Sequence, residues 1–167
     1  MSLGGDAAFD EARLLAARGQ LSEAETALDA ILERSPAHVG ALLLKASLRL
    51  EAREGEQGLL LFRRAVELAP HSAEALNGLA RCLHALGRDA EGLDVAQAAR
   101  ESLGAGDNFR HAAPVYLTLL WCLREQRRFK EALAVAEEGL ARTPDAVLAQ
   151  WASVVEEELA EAEKDEC

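Results

Sequence analysis

The chain is poor in β-branched residues. Its 167 residues include 8 Val, 1 Ile and 3 Thr. A sandwich or barrel builds its pleated faces largely from such side chains, so an all-β fold is excluded. Aromatic residues make up only 4%. No apolar run approaches the roughly 18 residues of a bilayer span, so no membrane insertion is expected. Positive charge is also short, with 18 Lys+Arg against 29 Asp+Glu and a formal net charge of −11. Nucleic acid and anionic membrane surfaces select for basic patches, so neither is expected as a partner. Cysteine is sparse: Cys82, Cys122 and Cys167 are odd in number and show no Cys-x-x-Cys spacing. That argues against a disulfide framework or a zinc site and fits a reducing compartment. Met1–Asp10 carries acids and no basic stretch followed by an apolar core. No signal peptide is read there, and the expected location is cytoplasmic.

What the chain does have is 34 Ala and 29 Leu, two strong helix formers, in a composition half apolar and 28% charged. That is the balance of a folded helical domain. The length suits one domain with a sizeable core. In such a chain internal periodicity decides the architecture. Pro36 and Pro70 stand 34 residues apart, and Gly19 and Gly87 stand 68 apart, twice that period. Small residues recur at Ala24, Gly58, Gly92 and Ala132, followed four residues later by Leu28, Phe62, Ala96 and Ala136. Ile31, Ala65, Ala99 and Gly139 come next, and Pro36, Pro70 and Pro144 close the first, second and fourth units, with Gly104 where the third would close. Pro70 to Pro144 is 74 residues, two periods plus six, which places a six-residue insertion within Glu101–Ala113.

Large and small apolar residues at these fixed offsets, closed by Pro, resemble the tetratricopeptide repeat (TPR). The first-helix offsets carry Tyr116, Leu119, Leu120 and Leu123 in the fourth repeat, and the first helix of the first repeat, with Ala8, Glu11, Ala12 and Leu15, matches least. The resemblance implies an all-α, right-handed helical-hairpin solenoid. Its four repeats would fall at about 5–38, 39–72, 73–112 and 113–146, followed by a capping helix and acidic tail over 147–167. Small residues let the two helices of a repeat approach closely, and each pair leaves an apolar face that only a neighbour covers. Cys82 and Cys122 share one offset between apolar neighbours and read as small buried hydrophobes.

Three features depart from a uniform array. Lys45 and Arg49 occupy offsets that are usually apolar, so they either snorkel or sit on a rotated helix. Gly104, Gly106, Asp107 and Asn108 read as a loop with an N-cap, and Pro114 suits the first turn of the next helix. Asp145–Glu163 reads as an amphipathic helix, with Val147, Leu148, Trp151, Val154, Val155 and Leu159 on one face and Glu on the other. That is the form of a solenoid's terminal cap.

No catalytic constellation is legible, so the chain is not expected to be an enzyme, and no cofactor or metal is expected. Gly104-Ala105-Gly106 lacks the Lys-Ser/Thr of a phosphate loop. His38, His71, His84 and His111 show no metal-ligand spacing, and His38 and His71 fall just after the closing prolines, in turns. Ser47, Ser72 and Ser102 have no nucleophile-elbow context.

The resemblance also implies a concave face lined by the first helix of each repeat, where proteins of that family bind peptides. The residues mapped onto it are Phe9, Arg13 and Ala16; Leu43, Ser47 and Leu50; Asn77, Arg81 and His84; Leu117, Trp121 and Arg124; and Trp151 on the last helix. This stripe holds three arginines and no acid in an acidic chain. Arg and Trp commonly anchor interfaces, so the expected ligand is a protein or peptide with apolar side chains and at least one carboxylate. The bland reading is that Trp121 packs on Trp151 and that Arg81 pairs with Glu74 or Glu125. The family's carboxylate clamp is missing: its positions carry Phe9, Arg13, Leu44, Glu74 and Gly78. A scaffold or adaptor is the leading reading. The alternatives are a dedicated chaperone of the type III secretion class and a self-assembling structural repeat protein, for which Phe9 and Leu14 would mark the open end. The expected state is a monomer or weak homo-oligomer. Phe109, Arg110 and His111 either extend the binding surface or merely lengthen a helix.

Overall fold

The computed structural model describes the backbone of residues 3–104 and 109–165, and the side chains of 7–104 and 112–164. Among them there are nine α-helices and no strand: α1 (Leu3–Ala17), α2 (Leu21–Arg34), α3 (Val39–Glu51), α4 (Gly55–Leu68), α5 (Ala73–Ala85), α6 (Asp89–Glu101), α7 (Phe109–Glu125), α8 (Phe129–Arg142) and α9 (Ala146–Asp165). The all-α, helical-hairpin reading stands. The chain forms two compact units, Met1–Pro70 and His71–Cys167.

The same turn closes the first helix of each hairpin. At Gly19 and Gly87 the backbone enters the left-handed region, with φ of 76° and 72°. Glycine does this without steric cost. The Gly87 amide donates to the His84 carbonyl and the Arg88 amide to the Leu83 carbonyl, each at 2.9 Å, which satisfies carbonyls the helix end leaves open. Arg53 and Arg127 take the equivalent position in the other two hairpins, with φ of 62° and 57°, although neither is glycine. The paired bonds recur there, from Glu54 to Arg49 at 2.8 Å and from Arg128 to Leu123 at 2.9 Å. Three helices after the longer turns are capped by side chains. His38 Nδ1 accepts from the Ala41 amide at 3.1 Å, Ser72 Oγ from Ala75 at 3.2 Å and Asp145 Oδ1 from Leu148 at 2.8 Å.

In the first unit, Ala12, Ala24, Leu28, Ile31, Ala41 and Leu48 form the core between α1, α2 and α3. Lys45 and Arg49 resolve as cross-helix ion pairs. Lys45 reaches Asp29 on α2, and Arg49 binds Glu25 on α2 at 3.0 Å and Glu54 at 2.5 Å. The hydrogen bond that Arg49 donates to Glu54 is the main reason its guanidinium pKa is held above its ordinary value. Acids on the second helix therefore take up the charges that a purely apolar offset would have buried.

In the second unit, α7 is central and packs against α5, α6, α8 and α9. Tyr116, Leu119, Leu120 and Cys122 are all but fully buried along it. Each such large side chain contributes about 1.5–3 kcal/mol through burial. Gly139 on α8 marks the tightest approach: a Cβ there would lie 2.7 Å from Tyr116 Cγ and 2.8 Å from Leu148 Cδ2. The Tyr116 hydroxyl donates to Glu138 Oε1 at 2.7 Å and accepts from Arg142 Nη1 at 3.2 Å. Burial raises its pKa above the ordinary 10.0. α9 lays Leu148 and Val155 into this core at 0% exposure, while Glu156 and Glu157 face solvent. One expectation is corrected. Pro114 is not in a first turn but inside α7, five residues after Phe109. It leaves the carbonyl four residues earlier without its helical donor. Gly106, Asp107 and Asn108 lie outside the described residues, as do the side chains of Phe109, Arg110 and His111.

Candidate binding face

The second unit brings the mapped residues of α5, α7 and α9 onto one face. Asn77, Arg81 and His84 follow at spacings of four and three on α5, as Leu117, Trp121 and Arg124 do on α7, so each set forms one stripe. The imidazole of His84 stacks on Trp121, with centroids 5.9 Å apart and planes at 18°. Trp121 meets Trp151 edge to face, also at 5.9 Å, with planes at 82°. The guanidinium of Arg124 lies 5.5 Å above the Trp151 ring. The tryptophans do pack on each other, in a tier of three rings that remains half-buried.

The electrostatics differ from the sequence expectation of three arginines and no acid. Glu158 on α9 receives Arg124, through Nε at 2.8 Å and through a second, shorter bond from Nη2. Glu125 takes Nη1 at 2.9 Å. The Glu158 bond leads the causes that raise the Arg124 pKa above its ordinary 12.5. Arg81 is exposed and has no ion pair with Glu74, Glu125 or any other described residue. Two polar atoms on this face are buried without a partner among the described residues: Asn77 Oδ1 and Trp121 Nε1. Asn77 is only 8% exposed. An unsatisfied buried group of this kind costs about 1–3 kcal/mol.

The first unit presents the other mapped residues separately. Phe9 packs partly against the core, and its ring lies 5.0 Å from that of His38. Arg13 is exposed and paired with Asp10 at 3.4 Å, and its guanidinium sits 6.0 Å above Phe9. Leu43 is buried, whereas Ser47 and Leu50 are half-buried.

No metal-ligand spacing is legible in the chain, yet folding assembles a ligand-type cluster. His84 Nδ1 lies 2.5 Å from Asp89 Oδ1, and the donor atoms of His84, Asp89 and Cys122 all fall within 4.8 Å of one another. Cys122 is fully buried, and its thiol is pushed up to about 12 by burial first, then by Asp89 and Glu125. Cys82 is likewise fully buried.

The family pattern of the tetratricopeptide repeat matches residues 9–70 and 43–108, well over half of the chain together. The chain belongs to the tetratricopeptide repeat family. A search of curated protein sequences finds no significant match. Solved structures show the TPR fold at low identity. PilF of Pseudomonas aeruginosa aligns with a TM-score of 0.81 and 18% identity, over 94% of this chain and 69% of that one. MamA aligns with a TM-score of 0.73 and 18% identity, over 94% and 83%. YrrB, described as a TPR protein with an unusual peptide-binding site, aligns with a TM-score of 0.68 and 18% identity, over 89% and 74%. At these identities the likeness concerns the TPR fold.

Proposed function

We propose that this chain is a non-enzymatic protein-interaction module, a scaffold or adaptor, whose α5–α7–α9 face holds a peptide segment of a partner. The observation that carries this reading is the pair of buried, unpartnered polar atoms, Asn77 Oδ1 and Trp121 Nε1, on a face that also carries three rings in mutual contact and an unpaired Arg81. A peptide supplies what these groups lack. Its apolar side chains can cover the rings, and once side-chain shifts open the two buried atoms its amide N–H can donate to Asn77 Oδ1 and its carbonyl can accept from Trp121 Nε1. Arg81 then favours a carboxylate on the ligand, through a charge-assisted hydrogen bond. Arg124 has Glu158 as its partner and orients the Trp151 ring, so it does not supply that contact. The existence of a peptide-binding site in YrrB supports the same use of the fold. A buried Cys122 thiol outside any disulfide favours a reducing, cytoplasmic setting. No described helix is long and apolar enough to cross a membrane.

The test is affinity capture from the source lysate, with parent chain and the folded double variant Arg81→Glu, Trp121→Ala side by side. The expected result is at least one protein retained by the parent and lost from the variant. Equal recovery on both would remove the α5–α7–α9 face as the binding site.

A further inference from the structure

We propose that His84, Asp89 and Cys122 bind a zinc-class divalent metal ion. The three side chains come from three successive helices: the last turn of α5, the first residue of α6 and the last turn of α7. None of the pairwise sequence spacings announces a site, and the α5–α6 turn with the α6–α7 packing brings them together. The donors are one imidazole nitrogen, one carboxylate oxygen and one thiol sulfur, the mixed set that suits Zn²⁺ and related borderline ions.

Geometry supports a shared ion. With metal–ligand bonds of about 2.0–2.3 Å, tetrahedral ligands stand about 3.3–3.6 Å apart. The His84–Asp89 separation of 2.5 Å lies below that value, and the upper bound of 4.8 Å for the set lies above it. Shifts of about an ångström, within the range of side-chain torsions, therefore place all three on one ion. His84 and Asp89 side chains keep 26% and 20% exposure, which provides an entry route, while the sulfur is fully buried. The surroundings hold the ligands in place, as outer contacts do in metal sites. Trp121 stacks on the imidazole, and Gln126 Nε2 donates to the Asp89 backbone carbonyl at 3.2 Å, tying the end of α7 to the start of α6. As the sulfur–metal bond forms, the Cys122 proton leaves to solvent. Three protein ligands leave a fourth position for water or another small donor. The ion staples α5, α6 and α7 and touches, through His84, the aromatic tier.

The experiment titrates the full metal-free chain with Co²⁺ as the spectroscopic probe, then displaces it with Zn²⁺. One equivalent of Co²⁺ is expected to give a near-ultraviolet thiolate-to-cobalt absorption band that Zn²⁺ abolishes, and Zn²⁺ is expected to raise the melting temperature. Cys122→Ser loses the band, His84→Ala and Asp89→Asn bind at least about tenfold more weakly, and Cys82→Ser behaves as the parent. Absence of a thiolate band at one equivalent, or its survival in Cys122→Ser, overturns the site. If Cys122→Ser does not fold, the affinities of His84→Ala and Asp89→Asn decide: unchanged binding in both rejects the proposal.

Discussion

Gly139→Ala runs against the usual rule for glycine in a helix. In an open helix the exchange stabilises by about 1 kcal/mol, because alanine loses less conformational freedom on folding. Gly139 lies in the last turn of α8, still within the helix, so part of that gain is available. A methyl group there would sit 2.7 Å from Tyr116 Cγ and 2.8 Å from both Tyr116 Cβ and Leu148 Cδ2. Tyr116 and Leu148 are both at 0% exposure, and the Tyr116 hydroxyl is anchored to Glu138 and Arg142. Neither side chain can swing away without breaking packing or hydrogen bonds. Overpacking of this kind costs about 1–3 kcal/mol, and the rigid contacts put it in the upper part of that range. The net expectation is a loss of about 1–2 kcal/mol, or about 3–6 °C in melting temperature for a chain of this size. Gly92→Ala is the control. Its Cβ would meet Ala80 O and Cys122 Sγ at 3.3 Å, a gap that closes with small adjustments. That variant is expected to stay within about 1 kcal/mol of the parent. Urea unfolding followed by circular dichroism measures both. A Gly139→Ala chain as stable as the parent, or more stable, refutes the claim that this glycine sets the α7–α8–α9 distance.

Arg53 holds a left-handed backbone, so Arg53→Gly is expected to stabilise the chain slightly, while Gly87→Ala, in the same turn position, costs about 1–2 kcal/mol. Melting curves of both variants check the pair. Asn77→Leu removes an unsatisfied buried acceptor, and the free chain should be as stable as the parent or up to about 1 kcal/mol more stable. Its peptide affinity should nevertheless fall, and a rise in both quantities would contradict a binding role for Asn77. Tyr116 has a raised pKa, so the folded state keeps its proton longer than the unfolded state. The stability it contributes is present below its ordinary value of 10.0 and declines as pH rises past it towards the folded value. Tyr116→Phe should therefore show a shallower alkaline loss in unfolding experiments run across that interval.

Much of the fold was legible because repeat architecture writes itself into spacing. Close approach of two helices demands a small side chain, and Ala24, Gly58, Gly92 and Ala132 are all buried where the period places them. Gly19 and Gly87 marked two of the hairpin turns through the φ they adopt. Arg53 and Arg127 occupy the same conformation without any sequence signal, since arginine gives no hint of a left-handed backbone. Pro114 misled for a related reason: proline marks a first turn only on average, and here α7 starts earlier. The candidate face was legible in its rings and in Arg81, but not in its charges. Glu158 lies 34 residues after Arg124 on a helix read only as a cap, and nothing local announces that the two meet. His84, Asp89 and Cys122 were invisible as a set for the same reason, because tertiary packing alone makes them neighbours.

The central claim is that the α5–α7–α9 face binds a peptide through His84, Trp121 and Trp151 beside Arg81. Selection of a random peptide library on the full chain, with affinities of the enriched peptides read by tryptophan fluorescence, tests it most directly. The account predicts enriched peptides that combine apolar side chains with a carboxylate. It also predicts binding at least about tenfold weaker, a change of about 1.4 kcal/mol, in folded Trp121→Ala and in folded Arg81→Glu. Failure to enrich any such peptide, or equal affinity for the parent and both variants, would contradict it.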